Sequence, residues 1–304
     1  MLEYAIGVLD VKEKNIFDKT DQERMLNSPS KEEAFKVLFD TDMGQTALDE
    51  KDIEKIIEKD LLILNGLVDQ ISRDENEFIS YFLFLKFDAL NLKIALKGKT
   101  DIFFKCAIAS EDQFKKREFK NPFSEKLFQK AVLMLNGKTD LFSIESSVDI
   151  AYLETKMDLA KKIGGLALET AMLEIDVANI KNKIKKEKTF LKGGNFSEDE
   201  IKGILDIGKE IGESNVDKFL EMFDLELILK RYKNHRSESK LEKELDSYIA
   251  GKVFEAEAER GSGLDKIIAY FYKKMNCYSN IRLILFSKES GLSIDEVKQN
   301  LLPL

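Results

Sequence analysis

One histidine, His235, and two cysteines, Cys106 and Cys277, are the whole supply of imidazole and thiol in 304 residues. A zinc site of the Cys/His kind needs three or four such ligands, and a histidine-based triad needs its base beside a nucleophile. Neither can be assembled, so catalytic residues, metal ligands and cofactor-binding residues are all expected to be none. His235 stands in the basic polar run Lys233-Asn234-His235-Arg236 and is expected to be solvated. The cysteines lack metal-ligand spacing and set out no disulfide framework, which suits a reducing compartment. Carboxylates are plentiful, as in Glu255-Ala256-Glu257-Ala258-Glu259. No pair of them is singled out, and a carboxylate-only enzyme stays open as a third reading.

Two segments look like the end of a phosphate-binding loop: Gly98-Lys99-Thr100 and Gly137-Lys138-Thr139. Such a loop needs another glycine five residues earlier, and Lys93 and Val132 stand there instead. Both segments continue with Asp and two apolar residues. That pattern is a helix stop at Gly followed by a helix start at Thr or Asp. Gly193-Gly194 and Gly261-Ser262-Gly263 also fall between helical stretches and are expected to be breaks.

Composition narrows the class. Hydrophobic residues make up 43% and charged residues 34%, with only three prolines and no tryptophan. That balance favours long helices and almost no sheet. The net charge of −8 argues against nucleic acid, which would require a basic stripe. Lys181-Asn182-Lys183-Ile184-Lys185-Lys186 is the strong basic cluster, expected to be a solvated helix face rather than a site for anionic lipid or an acidic partner. Met1-Leu2-Glu3-Tyr4 does not open a signal peptide. No apolar run approaches the length of a membrane span.

The elements that would position any site are repeated. The phrase Asn, Leu or Ile, Lys or Arg occurs at Asn91, Asn179 and Asn280, 88 and 101 residues apart. Relative to each Asn, positions −2, +1 and +5 are apolar: Ala89/Leu92/Leu96, Val177/Ile180/Ile184 and Tyr278/Ile281/Leu285. This stripe faces a core. The Asn lies off its centre and is expected to bond a backbone group of an adjoining helix, fixing how hairpins dock, while the basic residue stays wet. Capping boxes keep step with the phrase at Ser110, Ser197 and Ser293, with a fourth at Ser30. The match runs without gaps over Ser30 to Leu38, Ser197 to Leu205 and Ser293 to Leu301.

A single helix is expected over residues 1–27, stopped at Asn27-Ser28-Pro29, then a short helix from Ser30 to about Leu38. Helices from about Thr46 to Asp69 and from Asp74-Glu75 to Asn91 and Gly98 make a hairpin. Helices Ser143 to Lys162 and Leu166 to Lys188, broken at Gly164-Gly165, make a second. Helices Lys240 to Arg260 and Leu264 to Lys288 make a third. Asp60, Asp149 and Asp246 precede their asparagines by 31, 30 and 34 residues.

Tyr272-Lys273-Lys274-Met275-Asn276-Cys277-Tyr278-Ser279-Asn280-Ile281-Arg282, with Gly291-Leu292-Ser293 after it, resembles the C-terminal signature of the V/A-type ATPase C-subunit family, whose eukaryotic counterpart is the d subunit. Ile175 to Lys181 is similar to that family's middle copy, and Ser30 to Ala34 with Leu38 to Thr41 to its N-terminal part. The family's usual acidic residue before the third Asn is here Cys277, and Leu92 stands where Ile is common. The resemblance implies an all-α protein of three related helical-hairpin domains in a pseudo-threefold funnel. These would be residues 1–109, 110–196 and 197–304. It further implies a non-catalytic rotor adapter, without cofactor, at the cytoplasmic face of a membrane. Its partners would be the central-shaft subunits of the ATPase head and the membrane proteolipid ring. The isolated chain is expected to be a monomer. The competing reading is a helical-repeat scaffold that binds soluble partners.

Overall fold

A computed structural model of the chain describes residues 2–73, 76–99, 102–185, 189–205, 216–261 and 263–304. Among them there are fifteen α-helices and no strand. The N-terminal stretch is two helices, not one: α1 (Leu2–Glu13) and α2 (Lys19–Asn27). Between them Ile16 and Phe17 are buried and anchor the break. Asp18 then caps α2 in a reciprocal box with Asp21, a local signal that outweighs the helical pattern across it. Next come α3 (Lys31–Lys36), a 3-10 turn (Val37–Asp40) and α4 (Gly44–Asp49). The long helix expected from Thr46 begins only at α5 (Ile53–Ser72), because Asp52 accepts from the Glu54 amide at 3.0 Å and starts a new helix.

Helix α6 (Phe78–Leu96) ends before Gly98, which has φ +73°. The Asp74-Glu75 start and Thr100 lie outside the described residues. Two helices were not anticipated as separate elements. One is α8 (Pro122–Leu135), which follows the short α7 (Glu111–Lys116). The other is α12 (Val216–His235), which follows α11 (Glu198–Leu205). The start of α8 is a plain case: Asn121 caps it, and Pro122 stands in the first turn, where no amide is needed.

Helices α9 (Leu141–Ile163) and α10 (Gly165–Ile184) turn back on one another at Gly164, which has φ +77°. Residues 186–188, the expected end of α10, lie outside the described residues. Helices α13 (Glu238–Arg260) and α14 (Gly263–Ser290) make the last hairpin, followed by α15 (Ile294–Lys298); Ser262 is likewise not described.

The hairpin helices pack in a circuit. Within hairpins, α5 meets α6, α9 meets α10, and α13 meets α14. Between hairpins, α6 meets α9, α10 meets α13, and α14 returns to α5. The N-terminal helices α1, α2 and α3 pack on α14. A large apolar cluster runs through α1 to α10 and α14. A second, smaller one joins α10, α11, α12 and α13 through Ile180, Phe196, Ile201, Leu225, Leu245 and Ile249.

Candidate functional site

Each of the three asparagines grips one residue of an extended segment with both ends of its amide. Asn91 Nδ2 donates to the Phe104 carbonyl at 2.9 Å, and the Phe104 amide donates to Asn91 Oδ1 at 2.8 Å. Asn179 does the same to Leu191, at 2.9 and 2.8 Å. Asn280 does the same to Leu302, again at 2.9 and 2.8 Å. All three are buried. The expectation of a bond to an adjoining helix is therefore corrected. The partner is the extended chain that follows, whose paired amide and carbonyl have no helical partners and need one once they are buried. An Asn side chain offers one donor side and one acceptor side, which matches that pair.

Three residues before Asn91 and Asn179, an aspartate grips the same connecting segment further along. Asp88 Oδ1 accepts from the Ile108 and Ala109 amides at 2.7 and 3.1 Å, and Oδ2 accepts from the Ser124 hydroxyl. Asp176 accepts from the Asn195 amide at 2.8 Å and the Phe196 amide at 3.1 Å. The fit is close: a Cβ on Gly194 would come 2.0 Å from Asp176 Oδ1, which accounts for the glycine there. Burial lifts the Asp88 carboxyl to about 6, although Ser124, Ala109 and Ile108 pull the other way.

The capping serines differ among themselves. Ser293 and Glu296 form the full reciprocal box, and so do Ser197 and Glu200. Ser30 accepts from Glu33 at 3.2 Å. The Ser110 side chain makes no cap bond, which corrects the expectation there. Its expected partner, Gln113, instead accepts from the Lys120 amide with its side-chain oxygen at 3.3 Å.

The basic residue two positions after each Asn is engaged rather than left wet. Lys93 reaches Glu145 and Asp149 of α9 at 2.6 and 2.7 Å. Lys181 stands 4.0 Å from Asp246 of α13. Arg282 makes a two-pronged pair with Glu54 of α5 at 2.7 and 2.6 Å. Asp60 of α5 receives Lys274 and the Tyr278 hydroxyl of α14, both at 2.5 Å. So each of Asp60, Asp149 and Asp246 meets the second helix of the hairpin before it, in cyclic order. Burial works against the Lys274 ammonium, yet Asp60 and Asp42 hold its pKa above the usual lysine value.

Inside this circuit lies a cavity of about 650 Å³. Residues of α6, α9, α10, α13 and α14 line it, together with Lys185, Leu191 and Leu302. Its wall carries buried charge. Lys156 pairs with Glu174 Oε1 at 2.7 Å, and the Tyr272 hydroxyl donates to the same oxygen at 2.6 Å. Burial pushes the Tyr272 and Tyr152 hydroxyls well above the ordinary phenol range. Lys86 faces the cavity, and burial together with Lys156 lowers its ammonium to about 8.

No set of three metal-ligating side chains is gathered among the described residues. His235 is not the solvated residue expected: it is partly buried at the end of α12, where Nδ1 accepts from the Ser237 amide at 3.0 Å. Cys106 and Cys277 are buried free thiols, each raised to about 12 by burial. No helix of the described residues is long and apolar enough to cross a membrane.

The sequence predicted none of the buried lysines, because a lysine is ordinarily counted as surface. A signal existed in Lys156: it sits four residues after Tyr152 on the apolar side of α9. No curated protein sequence matches the chain. The model of the family described as ATP synthase (C/AC39) subunit matches residues 112–300, from α7 through α15, and the chain belongs to that family.

Proposed function

We propose that this chain is the non-catalytic central-stalk adapter of a V/A-type ATPase rotor. It couples the central shaft of the soluble ATPase head to the membrane proteolipid ring, for proton or sodium transport. The observation that carries the reading is the cyclic contact set. The second helix of each hairpin is bonded to the first helix of the next, and the third hairpin closes on the first through Arg282–Glu54 and Lys274–Asp60. This supports three copies of one unit, over residues 1–109, 110–196 and 197–304, arranged as a pseudo-threefold funnel around the cavity. The asparagines and capping serines are the repeated positions of that unit.

The chemistry suits a mechanical part. Each extended segment after a hairpin is tied back to that hairpin by two or more hydrogen bonds, so a load on one helix passes to the next element instead of unravelling a loop. The cavity offers a socket for the shaft. The chain reaches the ring through protein contacts, as a peripheral component on the cytoplasmic face, and it has no active site of its own. Isolated, it is a monomer.

Affinity capture on this chain from detergent-solubilised membranes tests the reading. Recovery of proteolipid-ring and central-shaft subunits together is the expected result. Recovery of soluble proteins only, with neither of these, overturns it in favour of a helical-repeat scaffold.

A further inference from the structure

A groove of about 790 Å³ runs along the side of α9 that faces away from the inner cavity. Glu145, Asp149, Tyr152 and Lys156 line the cavity. Ser143, Ser147, Glu154 and Asp158 line the groove, on the opposite side of the helix. Helix α8 and the extended segment from Thr189 to Lys192 form its other walls. Met134, Ile150, Met157, Phe190 and Leu191 give it an apolar floor, where Met157 and Leu191 are buried. Phe142 stands on its edge and is 65% exposed, while Leu133 and Leu141, flanking the same α8–α9 turn, are 80% and 66% exposed. Large apolar side chains gathered and uncovered in one place mark an interaction surface.

The charge here runs against that of the rest of the chain. The whole carries a net −8, and carboxylates outnumber lysines on the wall of the inner cavity. Around the groove the order is reversed: Lys130, Lys138, Lys161 and Lys192 stand against Glu154 and Asp158. Both carboxylates are already engaged. Lys130 reaches Glu154 at 2.9 Å and Asp158 at 3.5 Å, and Lys126 reaches Asp158 at 2.7 Å. Asp140, close by in the chain, caps α9 by accepting from the Ser143 amide. Lys138, Lys161 and Lys192 have no carboxylate within 4.0 Å among the described residues.

We propose that this groove holds an acidic amphipathic helix of another subunit of the ATPase complex. The helix lays its apolar stripe on the floor, and its carboxylates meet Lys138, Lys161 and Lys192. It is a different element from whatever the inner cavity receives, because α9 stands between the two. A bilayer is the poorer fit, since a flat surface does not reach a recessed floor. A free anion is poorer too, since it would use the lysines and leave the floor wet. The inference goes beyond the adapter reading and does not depend on it: it requires membership of an ATPase complex, whatever part the chain plays there.

Photocrosslinking in the purified, assembled complex tests this, with a benzophenone group in place of the Phe142 ring. The expected product joins this position to a segment of another subunit that is net acidic and carries apolar residues at helical spacing. Lys138→Glu combined with Lys192→Glu is expected to cut the yield about tenfold, with the melting temperature of the chain unchanged. Lys138→Arg combined with Lys192→Arg is expected to keep it. A product with lipid, a product with a basic segment, or the lack of any product with another subunit overturns the proposal. So does a yield that the charge reversal leaves unchanged. A purified complex that holds neither proteolipid-ring nor central-shaft subunits sinks the adapter reading alone.

Discussion

The first two copies of the asparagine phrase and the third share the asparagine but part company three residues before it. In the first two, Asp88 and Asp176 continue the grip on the connecting segment and hold the amides that precede α7 and α11. In the third, Cys277 stands at that place and donates to the carbonyl of Phe17 at 3.2 Å. The reason lies in what packs there. Beside Cys277 the segment between α1 and α2 fills the space, and it presents a carbonyl where the other two copies meet amides. A carbonyl repels a carboxylate and accepts from a thiol, so the change from Asp to Cys follows from which segment closes the circuit. The asparagine is thus the constant part of the phrase, and the aspartate is the part that serves a segment leading into a further helix.

Forcing the third copy to resemble the others is the most severe way to break this comparison. Cys277→Asp places a carboxylate in a fully buried site against the Phe17 carbonyl. At neutral pH it is expected to cost about 4 kcal/mol. Cys277→Ser keeps the donor and is expected to cost about 1 kcal/mol. Urea midpoints of the two variants check both, and equal midpoints would mean that the site does not distinguish acid from donor.

Removing the aspartate where it belongs comes next. Asp88→Ala leaves two buried amides and the Ser124 hydroxyl without their acceptor, and about 3 kcal/mol is expected to be lost. The carboxyl of Asp88 titrates near 6 in the folded protein, above the unfolded value. Its contribution is therefore fully present below about pH 4 and is lost as pH rises through 6. Asp88→Asn accepts the same amides without the charge. It is expected to abolish that part of the pH slope between about pH 4 and 6, and to be less damaging than Ala at pH 7. Denaturant titrations at the two ends of that range decide this.

The shared asparagines should then behave alike. Asn91→Ala, Asn179→Ala and Asn280→Ala are each expected to cost about 2 kcal/mol, because each removes the side-chain partner of one amide and one carbonyl. The third can be sharpened: deleting Leu302, Pro303 and Leu304 should reproduce much of the Asn280→Ala loss. A thermal melt that sets one asparagine apart from the other two would break the equivalence.

The ion pairs between hairpins are the smallest effects, and they are graded. Lys93→Ala is expected to cost about 1 kcal/mol, since the lysine is largely covered and meets two carboxylates. The more exposed Arg282 should cost less, and Lys181, at 4.0 Å from Asp246, close to nothing. Added salt should level the three.

Much of the helical layout was legible because long helices announce themselves. The apolar stripes behind Asn91, Asn179 and Asn280 and the glycines at 98, 164 and 261 mark the hairpins. The site was less legible, for particular reasons. Phe104, Leu191 and Leu302 carry no sign of being gripped, because only their backbone is used. The breaks at Asp18 and Asp52 were written in cap residues that a helical pattern on either side obscures. Asn121-Pro122 announces α8 through its cap and first-turn proline, a signal that the repeat on either side overshadows. Lys274 follows no rule of sequence, since its burial is defined by Asp42 and Asp60 on other elements.

Coupling is the property to measure. An ATPase complex reconstituted in vesicles with and without this chain should be followed simultaneously for ATP hydrolysis and for ion uptake. Without the chain the head is predicted to hydrolyse ATP while the vesicles take up no ion, and adding the chain back is predicted to restore uptake. Ion uptake of equal rate in its absence would contradict the role of rotor adapter.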